Sequence, residues 1–261
     1  MSTSEQANDA PEEPRTSGVY VYGIAPADVE TDEDAVGVRD GSVSIVTRGD
    51  IAALVSEISV DRPLGTPEDL RAHAHLLDGT SGVAPVLPLR FGAVMTDEDA
   101  VEEELLAAHA EEFAAALKEL EGRAQYVVKG RYVEKAILRE VIDENAQAGE
   151  LRDTIRDQPE ETTRDARMAL GEIVSNAIVA KRDEDTAKVV ETLTPLAGSV
   201  NVREPTHEEE AAQVAVLVEV ARQEELEEAV EALAKEWDGR VDMRLLGPMA
   251  AYDFVVTRKP D

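Results

Sequence analysis

Four histidines are the only side chains here whose ordinary titration falls near neutral pH, and two of them stand in a His73-Ala74-His75 step. On a strand that step would put both imidazoles on one face, where they could share a metal ion. On a helix they point about 200° apart. The preceding Thr66-Pro67-Glu68-Asp69 reads as a helix start, so the expectation is one half-buried and one exposed histidine, not a metal pair. His109 falls in an apolar stripe between Leu105 and Phe113 and is expected at the edge of a core. His207 precedes Glu208-Glu209-Glu210. That group could hold a cation weakly, but three acids in a row read better as the solvated start of a helix.

The chain has no cysteine, which removes thiol nucleophiles, thiolate metal ligands and disulfides. The glycine-rich dinucleotide and phosphate loops, the zincin His-Glu-x-x-His and the Gly-x-Ser-x-Gly nucleophile elbow are all absent. Carboxylates number 56, so no acid/base pair stands out, and aromatics at 3% offer little surface for sugar stacking. A hydrolase built from scattered acids would need a concave carboxylate cluster with displaced pKa values. The residues therefore predict no catalytic group, no metal site and no cofactor. Arg90 lies in an apolar segment. It implies either an ion pair, buried or at an edge, or an anchor for a partner.

Charge narrows the class further. The 26 Lys and Arg face 56 Asp and Glu, for a formal charge of −30 and a pI of about 4.4. Nucleic acid and anionic lipid surfaces both require a basic footprint that is missing here. No apolar run approaches the ~20 residues of a membrane span, and the polar, acidic N-terminus resembles neither a signal nor a transit peptide. Seven Lys against nineteen Arg, few aromatics and abundant Ala suggest a cytoplasmic protein of a salt-rich cell, the alternative being a very acidic mesophilic protein. At molar salt the Debye length is about 3 Å, and the self-repulsion of such a chain is largely screened.

The elements that would position any site can be read from periodicity. Residues 1–17 form an acidic tail expected to be disordered. Val19–Ile24, Ser42–Thr47 and Ile51–Ser56 read as strands, the last two as a hairpin. A helix follows Thr66, with Leu70, His73 and Leu77 on one face. The apolar Val83–Val94 segment, with two prolines, suits an edge strand. A second helix runs from Thr96 to about Glu121 on the stripe Val101, Leu105, His109, Phe113, Leu117, Leu120. Gln125–Arg131 reads as a strand, Val133–Leu196 as two helical pieces broken at Gly149 and Pro159, and Val200–Val202 and Ala212–Val220 as strands. Gln223–Trp237 is a helix closed by Gly239, Val241–Leu246 a strand and Tyr252–Val256 a last strand. The expected fold class is α+β. It comprises an N-terminal α/β domain over 18–132, a helical connector over 133–198 and a C-terminal domain over 199–258 whose strand–helix–strand–strand order suggests a ferredoxin-like unit.

Four segments carry a family resemblance. Tyr20-Val21-Tyr22-Gly23-Ile24 is followed by Pro88-Leu89-Arg90-Phe91-Gly92-Ala93-Val94, which resembles the Pro-Leu-Arg-Phe-Gly-Thr-Val motif of the gas vesicle proteins GvpF and GvpL. His73-Ala74-His75-Leu76-Leu77 stands where that family has a His before an aliphatic pair. Leu246-Gly247-Pro248-Met249-Ala250-Ala251-Tyr252-Asp253-Phe254-Val255 is similar to its Gly-Pro-Trp-Pro-Pro-Tyr-Ser-Phe-Val ending, with Met249 for Trp and Ala250-Ala251 for Pro-Pro. The acidic tail leans toward GvpL, of a haloarchaeal type. The resemblance implies a non-enzymatic assembly factor or minor component of gas vesicles with two α/β domains, the second ferredoxin-like. Its implied partners are the hydrophobic shell protein and other accessory gas vesicle proteins, in the cytoplasm and at the vesicle, with no nucleic acid and no lipid membrane. The candidate partner-binding residues are Pro88, Arg90, Phe91, Gly92, Gly247, Pro248, Tyr252 and Phe254. The competing expectation from another class is a small-ligand regulatory protein built on ferredoxin-like modules.

Overall fold

The computed structural model describes residues 17–31 and 35–255. The expected acidic tail therefore lies outside the described residues, except for Ser17 at the start of the first strand. Helices and antiparallel sheets are mixed in an α+β fold, and the chain divides into two compact units, Met1–Glu119 and Leu120–Asp261.

The first unit is built on β1 (Ser17–Pro26), whose run of β-branched and aromatic residues is buried on both faces. The hairpin β2 (Ser44–Arg48) and β3 (Ile51–Ser59) adds to one side of it, with Arg48 opposite Ile51 across the Gly49-Asp50 turn. Helix α1 (Pro67–Ser81) begins with a capping box. Thr66 Oγ1 accepts the Asp69 N–H at 3.2 Å while Asp69 accepts the Thr66 N–H at 3.1 Å. Its buried face is Asp69, His73, Leu76, Leu77 and Thr80. Leu70, expected on that face, is 48% exposed, because the capping box turns Asp69 inward in its place.

The Val83–Val94 segment forms only two short strands, β4 (Leu87–Pro88) and β5 (Val94–Met95). Both pair with β1 and leave a loop between them. Helix α2 (Glu98–Ala100) continues through a wide π turn over Val101–Leu106 into α3 (Ala107–Leu120). The wide turn shifts the phase of the stripe. Leu106 is buried, Leu105 is only half-buried, and His109 lies exposed, 3.7 Å from Glu112.

The second unit runs β6 (Arg123–Tyr132), α4 (Glu134–Glu144), α5 (Ala146–Ile155), α6 (Glu160–Leu193), β7 (Ala197–Val202), β8 (Glu210–Glu219), α7 (Gln223–Glu236) and β9 (Val241–Met249). Its sheet has the order β7-β8-β6-β9, antiparallel throughout. The core gathers Tyr126, Val128, Val214, Val216 and Val218 from the sheet with Val189 and Leu193 of α6 and Leu226, Val230, Leu233 and Trp237 at α7.

Three sequence expectations are corrected here. The boundaries at 132 and 198 do not coincide with the units: Arg123–Tyr132 is hydrogen-bonded between β8 and β9, partners about a hundred residues downstream. The helices between are therefore part of the second unit, not a connector. Those helices number three, parted at Asn145, which caps α5 through its side chain, and before Pro159. Tyr252–Val255 is a turn, not a strand. Tyr252 N–H bonds to Ala250 and Phe254 N–H to Ala251, so the backbone is satisfied locally.

Candidate functional site

In the first unit the motif residues gather around His73. Of five Tyr, three Phe and one Trp in the chain, Tyr20, Tyr22 and Phe91 converge on its imidazole. Their ring centroids lie 5.8, 5.8 and 5.6 Å from it, edge-on for Tyr20 and Phe91 and stacked for Tyr22. Alternation along β1 delivers Tyr20 and Tyr22 to one face of the sheet, and the capping box sets the phase of α1 that delivers His73.

The Tyr20 hydroxyl lies 2.9 Å from His73 Nδ1 and accepts the Gly92 N–H at 3.2 Å. Either group can donate in this contact, according to the tautomer of the ring. His73 Nε2 is buried and makes no hydrogen bond of good geometry. Burial lowers the His73 pKa, with the Leu89 backbone opposing in part. Burial pushes Tyr20 up to about 12, which the Gly92 N–H moderates.

The loop over this cluster is pinned at both ends. Leu89 N–H bonds to Tyr22 O and Val21 N–H to Ala93 O, both at 2.9 Å. Gly92 has φ +92°, a backbone that side-chain-bearing residues rarely adopt. Pro88 is buried, Phe91 is half-buried, and Arg90 is exposed with no ion pair among the described residues. Among the described residues the expected ion pair of Arg90 is thus not formed. His75 is exposed while His73 is buried, the split expected of a helical His-x-His step.

In the second unit, Gly247 and Pro248 are exposed near the end of β9 and joined by a cis peptide bond. Gly247 has φ +129°, and a Cβ there would meet Gln125 O and Tyr126 Cδ1 at 2.8 Å each. Ala250 and Ala251 are buried where the family motif has prolines, Tyr252 is 39% exposed and Phe254 is half-buried. The turn is held by a polar pair that the sequence did not reveal. Buried Gln125 donates to Asp253 Oδ2 at 2.5 Å and accepts the Asp253 N–H at 2.9 Å. Arg203 Nε reaches Asp253 Oδ1 at 2.9 Å. The candidate residues thus form two groups, Pro88–Gly92 in one unit and Gly247–Phe254 in the other.

A second cluster that the sequence did not reveal lies in the second unit. Tyr132 donates to Asp185 at 2.6 Å. Arg240 donates to Asp185 at 3.0 Å and to Glu140 at 2.7 Å, and Lys181 reaches Glu140 at 2.6 Å. The one available signal was Asp185 at the four-residue spacing of buried Val189 and Leu193, a polar residue in an apolar phase. Each member is paired, so the cluster ties α4, α6 and the start of β9 together and leaves no free acid or base. Every carboxylate with a displaced pKa among the described residues is displaced downward. Burial raises Asp69, Glu140 and Glu210, but hydrogen bonds or cations outweigh it, and Arg222 lowers Glu225. No His, Cys, Asp and Glu group that could hold a metal occurs among the described residues, and no helix there is long and apolar enough to cross a membrane.

The chain matches the family model described as gas vesicle synthesis protein GvpL/GvpF over residues 18–256. It is 32% identical to gas vesicle protein F of a Streptomyces species, over 90% of this chain and 98% of that one. It is 23% identical to gas vesicle protein F of Dolichospermum flosaquae, over 90% and 96%. The crystal structure of GvpF from an Anabaena species superimposes with a TM-score of 0.75, covering 92% of this chain and 98% of that one at 23% identity. GvpF from Microcystis aeruginosa superimposes with a TM-score of 0.73 at 20% identity, over 91% and 98%. These relatives carry the F name, whereas the lean toward GvpL rested on a tail outside the described residues.

Proposed function

The chain belongs to the GvpL/GvpF family of gas vesicle synthesis proteins, and from that premise we propose that it is a non-enzymatic assembly factor that engages the apolar vesicle shell protein and other accessory gas vesicle proteins. We read its place of action as the cytoplasm and the growing vesicle. The observation that carries this reading is the Leu89–Ala93 loop. Its backbone is fixed on β1 while the Arg90 side chain stands exposed, with no ion pair among the described residues. A cation presented on a rigid loop suits recognition of a partner's carboxylate or backbone carbonyls at little ordering cost. Half-exposed Tyr252, with Leu246 41% exposed nearby in sequence, offers an apolar contact in the second unit.

The surface charge of −30 fits the same role. A soluble factor that covers an aggregation-prone partner keeps the complex dispersed by its own repulsion. We also read that charge as adaptation to a salty cytoplasm. The order β6, three helices, β7, β8, α7, β9 and the β7-β8-β6-β9 sheet support reading the second unit as a ferredoxin-like unit with two extra helices in its first crossover. Co-purification from cells tests the proposal. The tagged chain is expected to bring down the shell protein, and Arg90→Glu to lose most of it while the melting temperature stays unchanged. Equal recovery with both would contradict a role for this loop.

A further inference from the structure

Sheet edges are templates for further pairing, and proteins blunt them with charge, proline or shortness. In this chain β2 carries Arg48, β4 is two residues long and contains Pro88, and β9 carries Asp242, Arg244 and Pro248. The fourth edge of the two sheets differs. Strand β7, Ala197-Gly198-Ser199-Val200-Asn201-Val202, has six residues with no charge and no proline, in a chain that is 31% charged. Among the described residues it pairs with β8 alone.

A groove of about 390 Å³ opens beside the end of this strand. Ala187 and Val190 of α6 line it together with Val202 and Pro205, and Val202 is 51% exposed. The two arginines of the groove are already engaged. Arg182 donates to the carbonyls of Glu210 and Glu208 at 2.7 Å each, and Arg203 is bound to Asp253. Asp183 and Glu204 also line the groove and form no ion pair among the described residues. Arg182 keeps its charge, since carbonyls do not neutralise it, but Asp183, Glu204 and Glu210 outnumber it, so a groove with aliphatic patches is left net negative.

We propose that β7 and this groove form a docking edge for an extended segment of a partner protein that carries aliphatic and basic side chains. The backbone of that segment adds to β7, alternate residues face the groove, an aliphatic one covers Val202, and a basic one reaches Asp183 or Glu204. A second copy of this chain is a poor occupant, since each copy brings −30. The inference stands apart from the vesicle reading, because Arg90 takes no part in it and the residues tested are Val202 and Glu204.

The test uses the full chain and a labelled peptide, Thr-Val-Thr-Lys-Thr-Val-Thr, with a Glu-centred peptide as control. Anisotropy is expected to show the Lys peptide binding about tenfold or more tighter than the Glu peptide. Val202→Asp, at an exposed position, is expected to weaken it by a similar factor although it adds negative charge, which separates docking from general attraction to an acidic protein. Glu204→Lys is expected to reverse the preference. Amide exchange over 197–202 should slow when the Lys peptide is added. Equal binding of both peptides, an unchanged affinity in Val202→Asp, protection confined to other segments, or a concentration-dependent dimer that protects β7 without peptide would each overturn the proposal.

Discussion

Gln125 and Asp253, 128 positions apart, hold each other by two reciprocal hydrogen bonds, side chain to side chain at 2.5 Å and backbone N–H to side-chain oxygen at 2.9 Å. The first sits in the middle of the β6–β8–β9 sheet and the second in the turn after β9. This pair is what replaces a last strand and holds the Tyr252–Phe254 turn in place. Gln125→Leu keeps the shape of the side chain but leaves the Asp253 N–H and carboxylate short of partners in a partly buried site. A loss of about 1–3 kcal/mol in urea unfolding is expected, with faster exchange of the Asp253 amide.

The Tyr20 hydroxyl is the corresponding pin in the first unit. Tyr20→Phe removes the acceptor of the Gly92 N–H and the partner of His73 Nδ1 together. The expected cost is again about 1–3 kcal/mol, with faster exchange at Gly92. Gly92→Ala should cost a similar amount, about 1–3 kcal/mol, for a different reason: its φ of +92° strains any side-chain-bearing residue. If Gly92→Ala left stability unchanged while Tyr20→Phe reduced it, the loop would be held by the hydroxyl and not by its backbone geometry.

His73 makes stability depend on pH in a definite direction. Burial holds its pKa below the ordinary 6.5, so the folded state favours the neutral ring. Its contribution is complete above about pH 6.5 and is lost as pH falls from there through the folded value. The lowered carboxylates Asp69 and Glu140, whose ordinary values are 3.8 and 4.5, act only at lower pH. Unfolding free energy is therefore expected to fall between pH 7 and pH 5, and His73→Gln to flatten that slope. An equal slope in the variant would assign the effect to other groups.

Salt should act through the whole surface. With −30 to screen, the melting temperature is expected to rise from dilute buffer to molar KCl. The Tyr132–Asp185–Arg240 cluster, being largely shielded from water, should change little. A melting temperature independent of KCl would remove the salt-adaptation reading and leave the family assignment intact.

The extent to which this was legible in the sequence follows the range of the interactions. The hairpin turn at Gly49-Asp50 and the capping box at Thr66 and Asp69 depend on neighbours a few residues apart, and both stand where periodicity and capping chemistry put them. The strand Arg123–Tyr132 was recognised as a strand but grouped with its sequence neighbours, because nothing local reveals partners at Glu210–Glu219 and Val241–Met249. The wide turn at Val101–Leu106 was invisible for another reason: a single extra residue per turn leaves the apolar spacing of Leu105 and His109 intact while rotating both toward solvent. The motif residues Pro88, Phe91 and Gly92 were legible as a group. The convergence of Phe91 and Gly92 on His73 and Tyr20 required the fold.

The central claim, that this chain works in vesicle formation through the loop fixed on Tyr20 and His73, is tested most directly by deleting its gene and counting vesicles by electron microscopy after complementation. Few or no vesicles are expected in the deletion strain, full recovery with the intact gene, and little recovery with Arg90→Glu at equal protein level. Normal vesicle number and shape in the deletion strain would contradict the account.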